Sequence, residues 1–248
     1  MSNEQLTMSN DMIRIENLKK KFDKNEALKG VSLRLGEGTV AAVMGPNGSG
    51  KTTMLKCILG LVKADSGDIY VNDCHVNGEC EYRKHIGYMP QYSCFPENLK
   101  VKEVMAMIKD IRGNHCVYDE ELIEKLKIAE MNDKQIGQLS GGMKQRVSSA
   151  AAFLFSGSII ILDEPTAGLD PVSSEIVKNK ILEEKKKGKL IIITSHIVSE
   201  VEAMADRIIY MLEGKIYFDN TKDELYSSTG KANLNQAIAF LIEESEGN

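Results

Sequence analysis

No apolar run in the 248-residue chain approaches the ~20 residues that a helix needs to cross a bilayer. Runs such as Ile159 to Leu162 and Leu190 to Ile193 fall far short, so the chain is not expected to span a membrane by itself. Met1 to Asp11 is polar and lacks the apolar stretch of a secretory signal, which points to a cytoplasmic protein. Cysteine is scarce and unpatterned: Cys57, Cys74, Cys80, Cys94 and Cys116 are odd in number and share no C-x-x-C spacing, so reduced thiols are expected. The order Cys74, His75, Cys80, His85 fits no zinc spacing. A basic excess is missing as well. With 31 Lys and Arg against 36 Asp and Glu, the net charge of −5 leaves no electrostatic footprint for nucleic acid, and Lys185 to Lys187 is expected to be a solvated helix end. Repeats and low-complexity linkers are lacking before the final stretch, which implies one continuous globular unit.

What is present is an ordered series of patterns. Met12 to Leu18 alternates apolar Ile13 and Ile15 with polar Arg14 and Glu16, and Val31, Leu33 and Leu35 alternate with Ser32 and Arg34. Such period-2 runs predict half-exposed strands of an antiparallel sheet. Thr39 to Met44, Ile159 to Leu162 and Leu190 to Thr194 are near-continuous apolar runs, as expected of parallel strands covered on both faces. Helical faces are predicted from Leu55, Ile58, Leu59 and Val62, then Val101, Val104, Met105 and Ile108, then Leu122, Ile123, Leu126 and Ala129. The segment from about residue 92 to 155 has little strand character and is expected to be a mostly helical insertion. Ile208 to Leu212 and Lys215 to Phe218 flank Glu213-Gly214, a two-residue hairpin signal. Beyond them Leu234, Ala237, Ile238, Leu241 and Ile242 form a stripe at helical spacing, expected to pack on the chain's own surface.

Gly45-Pro46-Asn47-Gly48-Ser49-Gly50-Lys51-Thr52 matches G-x-x-x-x-G-K-[ST] between an apolar strand and a helical run, with Thr53 following. Backbone wrapped around phosphate needs φ values that a Cβ forbids, and its N–H groups then make an anion nest. Lys51 is placed for the β and γ phosphates and the Thr52 hydroxyl for Mg²⁺. Asp163 and Glu164 end the second apolar run, where two acids are costly unless they serve a cation or a reaction. At the carboxyl edge of a doubly wound sheet they face the phosphate loop, so Asp163 is expected to join the Mg²⁺ shell and Glu164 to polarise the attacking water. His196 follows the third run and should emerge at the same edge, towards a γ-phosphate.

Leu139-Ser140-Gly141-Gly142-Met143 precedes an apolar-periodic helix that Ser140 is placed to cap, a second terminus suited to anions. With the phosphate loop and acid pair in this order, residues 12 to 218 resemble the ATPases of ABC transporters. The resemblance implies an α/β P-loop NTPase (RecA-like) core over residues 1–91 and 156–218, an N-terminal antiparallel β subdomain within it, a helical subdomain over 92–155, and a short helical tail over 219–248. It implies two ATP molecules sandwiched in a head-to-tail homodimer, each between the phosphate loop of one copy and Ser140, Gly141 and Gly142 of the other. Phe22 would stack on adenine, Gln91 would link Mg²⁺ and water to the helical insertion, and Asp170 would communicate across the dimer. A separate integral membrane permease, contacted through the helical subdomain, would hold the motor at the inner face of the cell membrane. Met143 departs from the frequent glutamine at its position, which should leave the phosphate-facing backbone intact. A large C-terminal regulatory domain, present in several importer ATPases, is not expected. Tyr82 to Gln91, Phe95 to Leu99 and Met107 to Gly113 most resemble the ATPase of the copper-processing transporter for nitrous oxide reductase maturation. Three alternatives remain: the ATPase of a drug or other small-molecule exporter, a soluble ABC protein of DNA repair or translation, and a nucleotide sensor without turnover.

Overall fold

The computed structural model describes residues 11–76, 78, 81–113 and 117–246, with side chains to residue 243; Cys80 and Cys116 lie outside the described residues. Two sheets organise the chain. The first pairs β1 (Asp11–Phe22) and β2 (Asn25–Gly36) with β4 (Ser66–Val71) and β5 (Cys74–His75), all antiparallel, in the order β2-β1-β4-β5. The expected alternation is realised here, with Ile13, Ile15, Val31, Leu33 and Leu35 buried, although both early strands run longer than their apolar cores.

The second sheet contains β3 (Val40–Met44), β6 (Ile86–Met89), β7 (Ile159–Asp163), β8 (Leu190–Thr194), β9 (Arg207–Leu212) and β10 (Lys215–Thr221), in the order β10-β9-β3-β8-β7-β6. All neighbours are parallel except the β9/β10 hairpin, which turns through Glu213 and Gly214, both at positive φ as a tight two-residue turn requires. Strands β3, β7 and β8 are buried along their whole length, and successive residues serve opposite faces. Ala41, Val43, Ile159, Ile161 and Ile192 meet α1 (Lys51–Ile58) and the antiparallel sheet. Val40, Ala42, Ile160, Leu162, Ile191 and Ile193 meet the remaining helices. The chain is thus an α/β P-loop NTPase fold.

Between β6 and β7 the described residues form α2 (Val101–Arg112), α3 (Glu121–Lys125) and α4 (Gly141–Phe153) with short 3₁₀ turns. The single helical face expected from Leu122 to Ala129 is broken, because Lys127 adopts a left-handed φ of 54° and Ile128–Met131 continues as a 3₁₀ turn. Helices α5 (Pro171–Lys186) and α6 (Val198–Met204) follow β7 and β8. The lysine run does end α5, yet Lys185 pairs with Asp206 and Lys187 with Glu184, so it is tied to the surface rather than simply solvated. After the hairpin come α7 (Lys222–Thr229) and α8 (Leu234–Glu246); α8 packs on α6 and α7, burying Leu234, Ala237 and Ile238 against the chain's own surface. Among the described residues no helix is long and apolar enough to cross a membrane, and no cluster of His, Cys, Asp or Glu suits a metal ion by itself.

Candidate functional site

Insertion of β8 between β3 and β7 sets three strand ends side by side, and the polar motifs emerge there. From β3 the chain enters the loop of Gly45 to Gly50 and then α1. Gly45 has φ 135°, and a Cβ on it would lie 2.0 Å from the Met211 carbonyl oxygen. Only glycine fits a backbone that tight. Lys51 is folded over the loop, its Nζ donating to the carbonyls of Gly45 (2.7 Å) and Pro46 (2.9 Å). Burial lowers the Lys51 pKa, against the opposing charges of Glu164 and Asp163. A phosphate would replace the two carbonyl acceptors with stronger, charged ones.

Asp163 ends β7, buried, beside Thr194 in the β8 register. Its Oδ1 accepts from the Thr194 hydroxyl (2.5 Å), and its Oδ2 from the Thr52 hydroxyl (3.3 Å). Carboxylate and hydroxyl oxygens of this kind are the hard donors that Mg²⁺ takes, with phosphate oxygens and water completing its shell. The residues present therefore fit the ion.

Glu164 stands one residue on, at φ 55°, a left-handed conformation that a non-glycine residue holds only under strain. What imposes it is local. The Glu164 N–H donates to the Thr194 hydroxyl (3.0 Å), and the Glu164 carbonyl accepts from Gln145 Nε2 of α4 (3.0 Å). The carboxylate is thereby aimed back over the strand ends, where Oε1 lies 2.9 Å from His196 Nδ1. Gln145 was not singled out from sequence. It reads there as one more polar residue of an amphipathic helix, and only its burial against the Glu164 backbone marks it.

A cleft of about 340 Å³ collects these groups: Phe22, Asn47 to Thr53, Gln91, Asp163, Glu164 and His196 line it, with Asn25 and Ala27. Phe22 is 46% exposed. Gln91 also faces a neighbouring groove of about 650 Å³ lined by Leu61, Tyr88, Tyr92, Ile108, Arg112 and Phe155. Gly45 and Pro46 form the back of the loop and do not line the cleft.

The remaining expected residues stand apart. Ser140 caps α4, its Oγ accepting from Met143 N (3.3 Å). Asp170 caps α5, accepting from the Ser173 N–H (2.9 Å) and hydroxyl (2.6 Å), which lower its pKa. The start of α4 abuts the loop before Asp170, where a Cβ on Gly142 would lie 2.7 Å from the Gly168 carbonyl oxygen. Ser140, Gly141 and Asp170 are exposed and Gly142 is half-buried, and none of them lines the cleft within a single chain.

Comparisons agree with this architecture. A family model described as ABC transporter matches residues 28–167. Similar proteins include a lantibiotic transport ATP-binding protein of Streptococcus pyogenes, 35% identical over 86% of this chain and 92% of that one. A daunorubicin resistance ATP-binding protein of Streptomyces coeruleorubidus is 31% identical over 90% of this chain and 72% of that one. Among solved structures, an ATP-binding subunit of an ABC transporter matches with a TM-score of 0.86 and 25% identity, covering 93% of this chain and 99% of that one. A dimeric post-hydrolysis ATP-binding cassette bound to ADP and Pi matches with a TM-score of 0.74 and 29% identity, covering 85% of this chain and 98% of that one.

Proposed function

This chain belongs to the ABC transporter family, as an ATP-binding and ATP-hydrolysing subunit, and from that premise we propose how its residues divide the work. The observation that carries the reading is the meeting of Glu164, His196, Lys51 and Asp163 at three adjacent strand ends. The loop amides of residues 45–52 and Lys51 hold the triphosphate, and Phe22 stacks on its adenine. Thr52 and Asp163, with Gln91, would hold Mg²⁺, which would supply positive charge at the phosphates. Glu164 accepts a proton from the attacking water, and the His196 imidazole orients Glu164 and reaches the γ-phosphate. Replacing Glu164 by Gln keeps a hydrogen-bonding group of the same shape and removes the base. Nucleotide binding should persist while phosphate release falls at least about a hundredfold; parental phosphate release by Glu164→Gln would overturn the assignment.

Ser140, Gly141, Gly142 and Asp170 act in trans: two copies meet head to tail, each closing the other's cleft. The solved post-hydrolysis cassette, described as dimeric, supports a pairing of two copies. ATP binding favours the closed dimer, moves the helical segment, and switches a membrane permease seated in the groove beside Gln91. Exposed Leu61 and Tyr92 in the lining of that groove suit an apolar partner surface. Co-purification with a multi-span permease, abolished by charged substitutions at Leu61 and Tyr92, tests it.

For cargo, the resemblance of residues 82–113 supports copper processing for nitrous oxide reductase maturation. The lantibiotic and daunorubicin names of the relatives favour a second reading, an exporter of peptides or drugs. Deleting the gene separates the two. Loss of copper-loaded reductase supports the first, and new sensitivity to lantibiotics or anthracyclines the second.

A further inference from the structure

The tail beyond the β9/β10 hairpin has no part in the cleft, yet it is tied to the helix that follows His196. That helix, α6, begins two residues after His196 and is held on two sides. On the side of the reaction, the Thr166 hydroxyl donates to Glu200, and Lys178 lies 3.4 Å from the same carboxylate. Thr166 is two residues from Glu164, so both members of the Glu164–His196 pair lead into α6.

On the far side the anchor is Glu202. Its Oε1 accepts from the Tyr226 hydroxyl of α7 (2.8 Å) and from the Leu234 N–H at the start of α8 (2.9 Å). Its backbone carbonyl accepts from Lys222 Nζ (2.8 Å). Leu225, Leu234 and Ala237 are fully buried against this face with Val201 and Met204 of α6. One carboxylate oxygen thus fixes α6 to both tail helices at once, and a helix this short has little rigidity of its own.

We propose that residues 222–246 form a positioning element for His196, acting through Glu202 and α6, so that the tail sets the turnover rate of a site it never touches. This rests on the role given to His196 above. A side chain that orients a reacting group must be held within a fraction of an ångström, and its supports count as much as its own contacts.

The test uses full-length protein carrying Glu202→Ala, Glu202→Gln or Tyr226→Phe. Loss of the acceptor in Glu202→Ala, or of the donor in Tyr226→Phe, should lower kcat about tenfold with KM for ATP within about twofold, since binding groups are untouched. Glu202→Gln retains an oxygen acceptor and should keep near-parental kcat. The chain has four histidines. In a carbon–proton NMR spectrum the His196 ring signal, assigned from its absence in His196→Ala, should shift in Glu202→Ala and Tyr226→Phe while those of His75 and His85 stay in place. Tyr226→Phe removes one hydroxyl and keeps the ring, so it remains informative should Glu202→Ala fail to fold. Parental kcat in Tyr226→Phe, or a lowered kcat with an unmoved His196 signal, overturns the proposal. If His196→Ala turns ATP over at the parental rate, the role of His196 fails first and this inference with it. If His196→Ala is inactive and the tail variants are unimpaired, this inference alone fails.

Discussion

Glu164 shows the cost of the position proposed for the reaction's base. Its left-handed backbone stores strain, and its carboxylate is nearly buried; both follow from aiming Oε1 at His196 over the end of β7. Gly45 makes the complementary case, since its φ of 135° and the Met211 oxygen leave no room for a methyl group. Gly45→Ala should lose Mg·ATP binding and lower the melting temperature together, measured by nucleotide titration and thermal unfolding. Lys51→Ala should separate the two. It removes only hydrogen bonds to loop carbonyls, so stability should hold while Mg·ATP affinity falls by roughly 1.5–3 kcal/mol, about ten- to a hundredfold. An unchanged Kd would sink the placement of the γ-phosphate.

Among the elements, α5 and the helical segment are joined by a charge cluster that is absent from the nucleotide chemistry. Lys180 is only 2% exposed and lies 2.6 Å from Asp119, 2.6 Å from Glu121 and 3.2 Å from Glu184. Burial works against its charge, but three carboxylates outweigh that and raise its pKa. Glu121 is lowered to about 2 by Lys125 and Lys180; Glu184, though burial pushes it up, is lowered to about 2 by Lys187, Lys189 and Lys180. Carboxylates depressed on folding contribute stability above their ordinary pKa of 4.5 and lose it as pH falls towards about 2. The chain should therefore lose stability steeply across that window, as followed by urea unfolding. Lys180→Met takes one cation from the cluster while Lys125 stays on Glu121 and Lys187 and Lys189 stay on Glu184, so it should cost about 1–3 kcal/mol near neutral pH and partly flatten the acid dependence. A variant whose stability matched the parent at pH 7 would show the cluster to be inert.

At the scale of the whole molecule, the α4 cap does not line the cleft of its own chain, and the proposal that a second copy supplies it follows from that separation. This gives a test by mixing. Lys51→Ala and Ser140→Arg should each be inactive alone. A mixed dimer pairs the intact phosphate loop of the Ser140→Arg copy with the intact cap of the Lys51→Ala copy. Mixing should recover hydrolysis that neither variant has, and failure to recover any would argue against sharing in trans.

What the residues determined unaided was every contact that depends on neighbours in the chain. The phosphate loop, the hairpin at Glu213-Gly214 and the cap at Ser140 are local devices, where spacing and backbone freedom are the main cause. The buried strands were equally legible because short β-branched runs such as Ile159 to Leu162, bounded by polar residues, suit strands covered on both faces. Other features were settled only in three dimensions. β4 and β6 escaped notice because Ser66 to Val71 and Ile86 to Met89 are short and mixed, and their pairing with β1 and β7 supplies the stability that their own sequences lack. The break at Lys127, the grip of Gln145 on Glu164 and the convergence of Tyr226 and Leu234 on Glu202 all join residues whose types are ordinary. Their meaning comes from burial and distance, and those exist only once the chain has closed on itself.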